Sequence, residues 1–93
     1  MKYWLIGYDI ADDRRLQRVG RLMEDYGQRL QYSVFLCRLE PHDLKRMRRR
    51  LLRLLNLKED RVFLLPLCQE CFCRMEQLGR PLTLHIDQDY WLL

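Results

Sequence analysis

The stretch Lys2-Tyr3-Trp4-Leu5-Ile6-Gly7-Tyr8-Asp9-Ile10, followed at once by Ala11, Asp12, Asp13, Arg14 and Arg15, decides the reading of this chain. Residues 3–10 are rich in aromatic and β-branched types and predict a strand. A period of two puts Tyr3, Leu5, Gly7 and Asp9 on one face and Trp4, Ile6, Tyr8 and Ile10 on the other. An apolar run of this kind is expected to be buried. A carboxylate at its end is then costly unless a metal ion, an arginine or backbone donors bind it. Gly7 has no side chain, which leaves room next to Asp9 for another backbone or a partner. Asp9 is therefore the first candidate for chemistry.

Working outward, Asp12 or Asp13 suits the N-cap of a helix. Leu16, Val19, Leu22, Met23 and Tyr26 recur at helical spacing, so residues 13–26 are expected to be helical, with Arg14, Arg18 and Arg21 along a polar side. Gly27 falls where a left-handed residue would end that helix. Residues 28–39 read as strand again, either one long strand or two joined near residues 31–33. Pro41 suits the first turn of a second helix, with Leu44, Met47, Leu51, Leu54 and Leu55 as its apolar stripe and an end near Leu57. Residues 61–67 are β-type but interrupted by Pro66. Residues 68–79 are ambiguous and read as a short helix ending at Gly79. Residues 83–86 read as a short extra C-terminal strand, and residues 87–93 as a tail.

The order βαββαβ predicts a ferredoxin-like α+β sandwich in which two helices cover one face of an antiparallel sheet. The 93 residues read as one domain, 1–93. The Trp and Tyr content makes a bare second sheet face unfavourable, so that face is expected to pack on another copy, giving a homodimer.

Seventeen Lys and Arg against thirteen Asp and Glu leave a net charge of +4. The excess is concentrated in the second helix, where Lys45, Arg46, Arg48, Arg49, Arg50 and Arg53 flank the leucine stripe. Arg46, Arg49, Arg50 and Arg53 are candidates for nucleic-acid contact, because a guanidinium grips phosphate in a bidentate way that lysine cannot. A solvated basic helix face has the same composition. Contacts of this kind would go to backbone phosphates and be independent of base sequence. The aromatic signature of the RNA-recognition class is absent. No apolar run reaches the ~18 residues of a membrane span. No signal peptide is apparent, so a cytoplasmic protein with reduced thiols is expected.

A hard cation such as Mg²⁺, or another divalent ion, takes oxygen ligands. One Asp9 per chain is too few for a dedicated site. Two copies meeting across a two-fold axis would do better, whereas an Arg-paired or capping carboxylate needs no metal. Cys68-Gln69-Glu70-Cys71-Phe72-Cys73 invites a zinc reading, but only Cys37, His42 and His85 remain to complete it and no second paired spacing exists. These thiols are therefore read as part of a half-buried segment. His42 and His85 are isolated, and there is neither an H-E-x-x-H motif nor a glycine-rich phosphate loop.

Tyr8-Asp9-Ile10-Ala11-Asp12-Asp13, then Arg18-Val19, then Gly27-Gln28-Arg29-Leu30-Gln31-Tyr32-Ser33-Val34-Phe35, resembles the CRISPR-associated protein 2 family, the small partner of the CRISPR integrase. The likeness covers nearly the whole chain. It implies a ferredoxin-like homodimer with Asp9 at the position of the family's metal-binding aspartate. It also implies that Tyr8, Arg18, Arg29, Ser33 and Phe35 match further site positions. An arginine that some members carry two residues before Arg18 is Leu16 here. Members are described as metal-dependent endonucleases acting on RNA or duplex DNA, and also as non-catalytic bridges between integrase dimers during spacer acquisition. The expected function is thus a duplex-DNA-binding adaptor of spacer acquisition. The alternative is a metal-dependent or toxin-like ribonuclease acting without an integrase.

Overall fold

β1 (Lys2–Asp9) runs through the middle of a four-stranded antiparallel sheet ordered β2-β3-β1-β4, in a computed structural model that describes residues 2–84. Its neighbours are β3 (Val34–Leu39), with Trp4 opposite Cys37, and β4 (Arg61–Leu67), with Asp9 opposite Arg61. β2 (Gly27–Gln31) forms the far edge and joins β3 through the two-residue turn Tyr32–Ser33. Of the two sequence readings of residues 28–39, the hairpin is therefore the one that forms. Pro66 sits in β4 without breaking it, because β4 is an edge strand and a missing N–H is tolerated there.

Two helices, α1 (Asp13–Glu24) and α2 (Pro41–Leu54), cover one face, giving the ferredoxin-like α+β sandwich. Asp12 is the N-cap of α1, its carboxylate accepting from the Arg15 amide at 2.9 Å. Both helices stop earlier than their apolar spacing suggests, at Glu24 and Leu54. Gly27 is not a left-handed cap. It opens β2, where a Cβ would collide with Cys37 Sγ and the Leu36 carbonyl. The main core lies between helices and sheet and gathers Ile6, Tyr8, Ile10, Val19, Met23, Phe35, Cys37, Met47 and Leu51.

The opposite sheet face differs from expectation. Trp4 packs on the helix-side core, so the open face is not tryptophan-rich. A five-residue helix, α3 (Gln69–Cys73), covers part of it: Phe72 stacks on Tyr3 with centroids 4.3 Å apart and joins Leu36 in a second small core. Beyond α3 the face stays open at Phe63 and Leu65, which are 54% and 49% exposed. The space above Gly7 is taken by the Phe63 ring rather than by another backbone. Thr83 and Leu84 are not in a strand, although the Thr83 carbonyl accepts from Gln28 Nε2 at 2.6 Å and Leu84 packs on the second core. The remainder of the expected final strand, His85 and the tail 87–93 lie outside the described residues.

Candidate nucleic-acid interface and the Asp9 cleft

Asp9 ends β1 with its side chain exposed, which overturns the expectation of a buried carboxylate. It makes no ion pair among the described residues. It lines a cleft of about 320 Å³ on the open face with Gly7, Ser33, Val34, Arg61 and Phe63. Ser33 is held there because its carbonyl accepts from the Tyr8 amide at 3.1 Å, pinning the β2–β3 turn against the end of β1. The cleft offers the Asp9 carboxylate, the Ser33 hydroxyl and the Arg61 guanidinium, with Tyr8 also along its wall, and no lining residue pairs a nucleophile with a general base. Among the described residues no three His, Cys, Asp or Glu side chains are grouped to hold a metal ion. Asp9 is the one carboxylate among the residues that line this cleft.

The buried carboxylate belongs to Asp60, a residue that no sequence pattern singles out. Its side chain is 0% exposed and accepts four hydrogen bonds. Arg15 donates two of them, Nε at 2.7 Å and Nη2 at 3.0 Å. The Ala11 and Asn56 amides donate the others, at 2.9 and 2.8 Å. The Arg15 hydrogen bonds, above all, hold the Asp60 carboxyl well below the usual carboxylate range. This knot ties the segment after Asp9 to the residue just before Arg61, and so fixes both charged ends of the cleft.

The other family-matched positions fall elsewhere. Tyr8 points to the helix side and lines a second cleft of about 190 Å³ with Leu16, Gln17, Gly20, Glu24 and Arg29. Burial pushes its phenol up, with Arg29 pulling partly back, so Tyr8 remains a protonated donor at neutral pH. Arg29 donates to the Tyr32 carbonyl at 2.6 Å and to Glu24 at 3.2 Å, with its guanidinium 4.9 Å from the centre of the Phe35 ring. Phe35 itself is 0% exposed. It supports Arg29 and Tyr8 from below and has no surface to offer a substrate.

Arg18 belongs to a third region. With Arg21, Asp25, Arg50 and Arg53 it lines an open groove of about 490 Å³ between α1 and α2. Arg50 is committed within this groove, donating to Tyr26 Oη at 3.0 Å and to Asp25 at 3.1 Å. Arg46 and Arg49 lie exposed on α2. Spacing along α2 brings Arg46, Arg50 and Arg53 onto one stripe, which faces Arg18 and Arg21 of α1. The site positions named from sequence therefore fall into three places: Asp9 and Ser33 in the open-face cleft, Tyr8 and Arg29 over Phe35, and the arginines between the helices. No helix among the described residues is long and apolar enough to cross a membrane.

Comparison with known proteins gives a consistent picture. Residues 1–75 match the family model of CRISPR associated protein Cas2. The chain is 38% identical, over the full length of both, to CRISPR-associated endoribonuclease Cas2 2 of Synechocystis sp.. Its fold is similar to that of Streptococcus pyogenes Cas2, with a TM-score of 0.75 and 33% identity over 83% of this chain and 99% of that one. It is also similar to a chain of a partial Cas6-RT-Cas1–Cas2 complex, with a TM-score of 0.67 and 26% identity over 84% of this chain and 91% of that one.

Proposed function

The chain belongs to the family of CRISPR-associated protein Cas2, and from that membership we propose that it is the small DNA-binding partner of a CRISPR integrase. In this reading it acts as a homodimer in spacer acquisition. It seats duplex DNA on its arginines and bridges integrase subunits. The observation that carries the reading is the groove between α1 and α2, where Arg18, Arg21, Arg50 and Arg53 converge, with Arg46 and Arg49 exposed beside it. Such a surface neutralises phosphates and reads no bases. The likeness to a chain from an assembly that contains Cas1 supports the integrase as partner.

Duplex affinity should fall steeply with salt, with a log–log slope of roughly −4 or steeper if about five phosphates are neutralised. Changing Arg46, Arg49 and Arg53 together to Ala should flatten that slope by roughly 0.9 for each phosphate that is no longer neutralised. Fluorescence anisotropy on a blunt duplex measures both, and a flat salt response in the wild-type protein rejects the proposal. Co-purification with an integrase encoded beside it tests the bridging role.

A second reading is supported by Asp9 and by the names of relatives, which call them endoribonucleases or endonucleases. Here Mg²⁺ or another divalent cation, held by the Asp9 carboxylates of two copies, supplies charge neutralisation for hydrolysis of RNA or duplex DNA. Asp9 is exposed and lies on the open face beside Phe63, where a second copy can approach. Tyr8, Arg18, Arg29, Ser33 and Phe35 are the further family-matched positions, of which Tyr8 and Ser33 line the Asp9 cleft. Wild-type cleavage by the Asp9→Asn protein in Mg²⁺ would eliminate this reading.

A further inference from the structure

Neither functional reading uses the cysteines that follow β4. Cys68 caps the first turn of α3, and its Sγ accepts a hydrogen bond from the Cys71 amide at 3.3 Å. The Cys71 Sγ lies 3.2 Å from the Cys68 Sγ, and both residues are exposed. The helical turn therefore presents two thiols in contact at the surface, separated in sequence only by Gln69 and Glu70. Cys37 makes the contrast: it is buried in the main core, where desolvation pushes its thiol up to about 12.

We infer that Cys68 and Cys71 are a redox-modification site, a dithiol that closes to an intrachain disulfide by exchange with a low-molecular-weight disulfide. The two members are not equivalent. Hydrogen bonds from Cys71, the amide foremost, hold the Cys68 thiol below its ordinary value, while the thiol–thiol contact raises that of Cys71. Cys68 is accordingly the attacking thiolate. It displaces one small thiolate and forms a mixed disulfide through its Sγ. Cys71, losing its proton to solvent, then attacks the Cys68 sulfur and expels the second small thiolate. One small disulfide is reduced to two thiols as the protein dithiol gives up two electrons and two protons.

The closed loop is too short to add much by constraining the unfolded chain, which suits a reversible bond rather than a structural staple. Its local effect falls on α3. Phe72 follows Cys71 directly and stacks on Tyr3 over the open sheet face. Phe72 is already docked in the dithiol form, and closing the disulfide pins the turn that carries it.

The test is equilibration of the purified full chain in mixtures of reduced and oxidised glutathione, acid quenching, alkylation of remaining thiols and peptide mapping. The expected result is one dominant product that has lost two hydrogens and is linked Cys68–Cys71. Cys68→Ser and Cys71→Ser should abolish it, while Cys37→Ser and Cys73→Ser retain it. In the reduced protein Cys68 should alkylate at least about tenfold faster than Cys37. Trypsin cleavage after Arg74 should slow in the oxidised form. Glutathionylation spread over Cys68, Cys71 and Cys73 with no Cys68–Cys71 linkage would overturn the inference, as would a linkage that persists in Cys68→Ser through another pair as the main product.

Discussion

Arg15 and Asp60 are 45 residues apart in sequence and meet in a bidentate ion pair, with contacts of 2.7 and 3.0 Å. Together with the Ala11 and Asn56 amides they close the loop after β1 onto the loop before β4. The pair sits behind the Asp9 cleft rather than in it, and it sets where Asp9 and Arg61 stand.

The pair has a pH signature. A carboxyl whose folded value lies below its unfolded value adds stability that is fully present above the unfolded value of about 4. That contribution drains away as the pH falls below about 4 toward the lower folded value. The urea midpoint of the wild-type protein should therefore drop below pH 4 by more than that of Asp60→Asn, which is already less stable at pH 7. Parallel midpoint-against-pH curves for the two proteins would contradict the assignment.

Asp9, in contrast to Asp60, is exposed and makes no ion pair among the described residues. Asp9→Asn should leave stability within about 0.5 kcal/mol of wild type. Any loss of cleavage or metal response in that variant then reports chemistry and not folding. Thermal melting and a nuclease assay on the same preparation separate the two, and a large fall in melting temperature would show that Asp9 has a structural partner.

Phe35 makes the converse case. It matches a family site position, yet it lies wholly in the core beneath Arg29. Phe35→Ala should cost about 3–5 kcal/mol, the range for an emptied aromatic core site. Lost activity in that variant would be lost fold. Arg29→Ala removes the Tyr32 and Glu24 hydrogen bonds at the hairpin while leaving the core filled, so it tests this corner of the site cleanly. Denaturation midpoints that place Phe35→Ala within about 1 kcal/mol of Arg29→Ala would contradict the burial argument.

What is legible in the sequence and what is hidden follow from range. Strand parity around Asp9, the Asp12 cap and the leucine stripe of α2 are local patterns, and each appears in the structure. The ferredoxin-like order follows from those elements taken in series. Asp60 is hidden because its burial depends on Arg15, Ala11 and Asn56, none of which is recognisable as its partner from spacing. The same lack of long-range information misplaces the cost of burial onto Asp9. Gly7 is legible as a gap, but only the register with β4 reveals that Phe63 fills it. Trp4 suggests an aromatic open face until parity and the helix positions together put it inside.

The open face itself yields the last prediction. Phe63 and Leu65 alternate along edge strand β4 and lie about half exposed, next to the Asp9 cleft and clear of the Phe72 cover. Exposed apolar side chains that cluster in this way mark a contact surface, and a homodimer using it would bring two Asp9 carboxylates toward one axis. Phe63→Glu or Leu65→Glu places a charge where an interface would have to desolvate it, which costs several kcal/mol in a buried contact and almost nothing on a free surface. Each variant should sediment as a monomer at concentrations where the wild-type protein is dimeric, with its far-ultraviolet circular dichroism unchanged. The Asp9-dependent metal response should disappear with the dimer, while phosphate binding at the α1–α2 groove should survive with a reduced salt slope. Dimers that persist in both variants would place the interface elsewhere on the molecule and separate Asp9 from it.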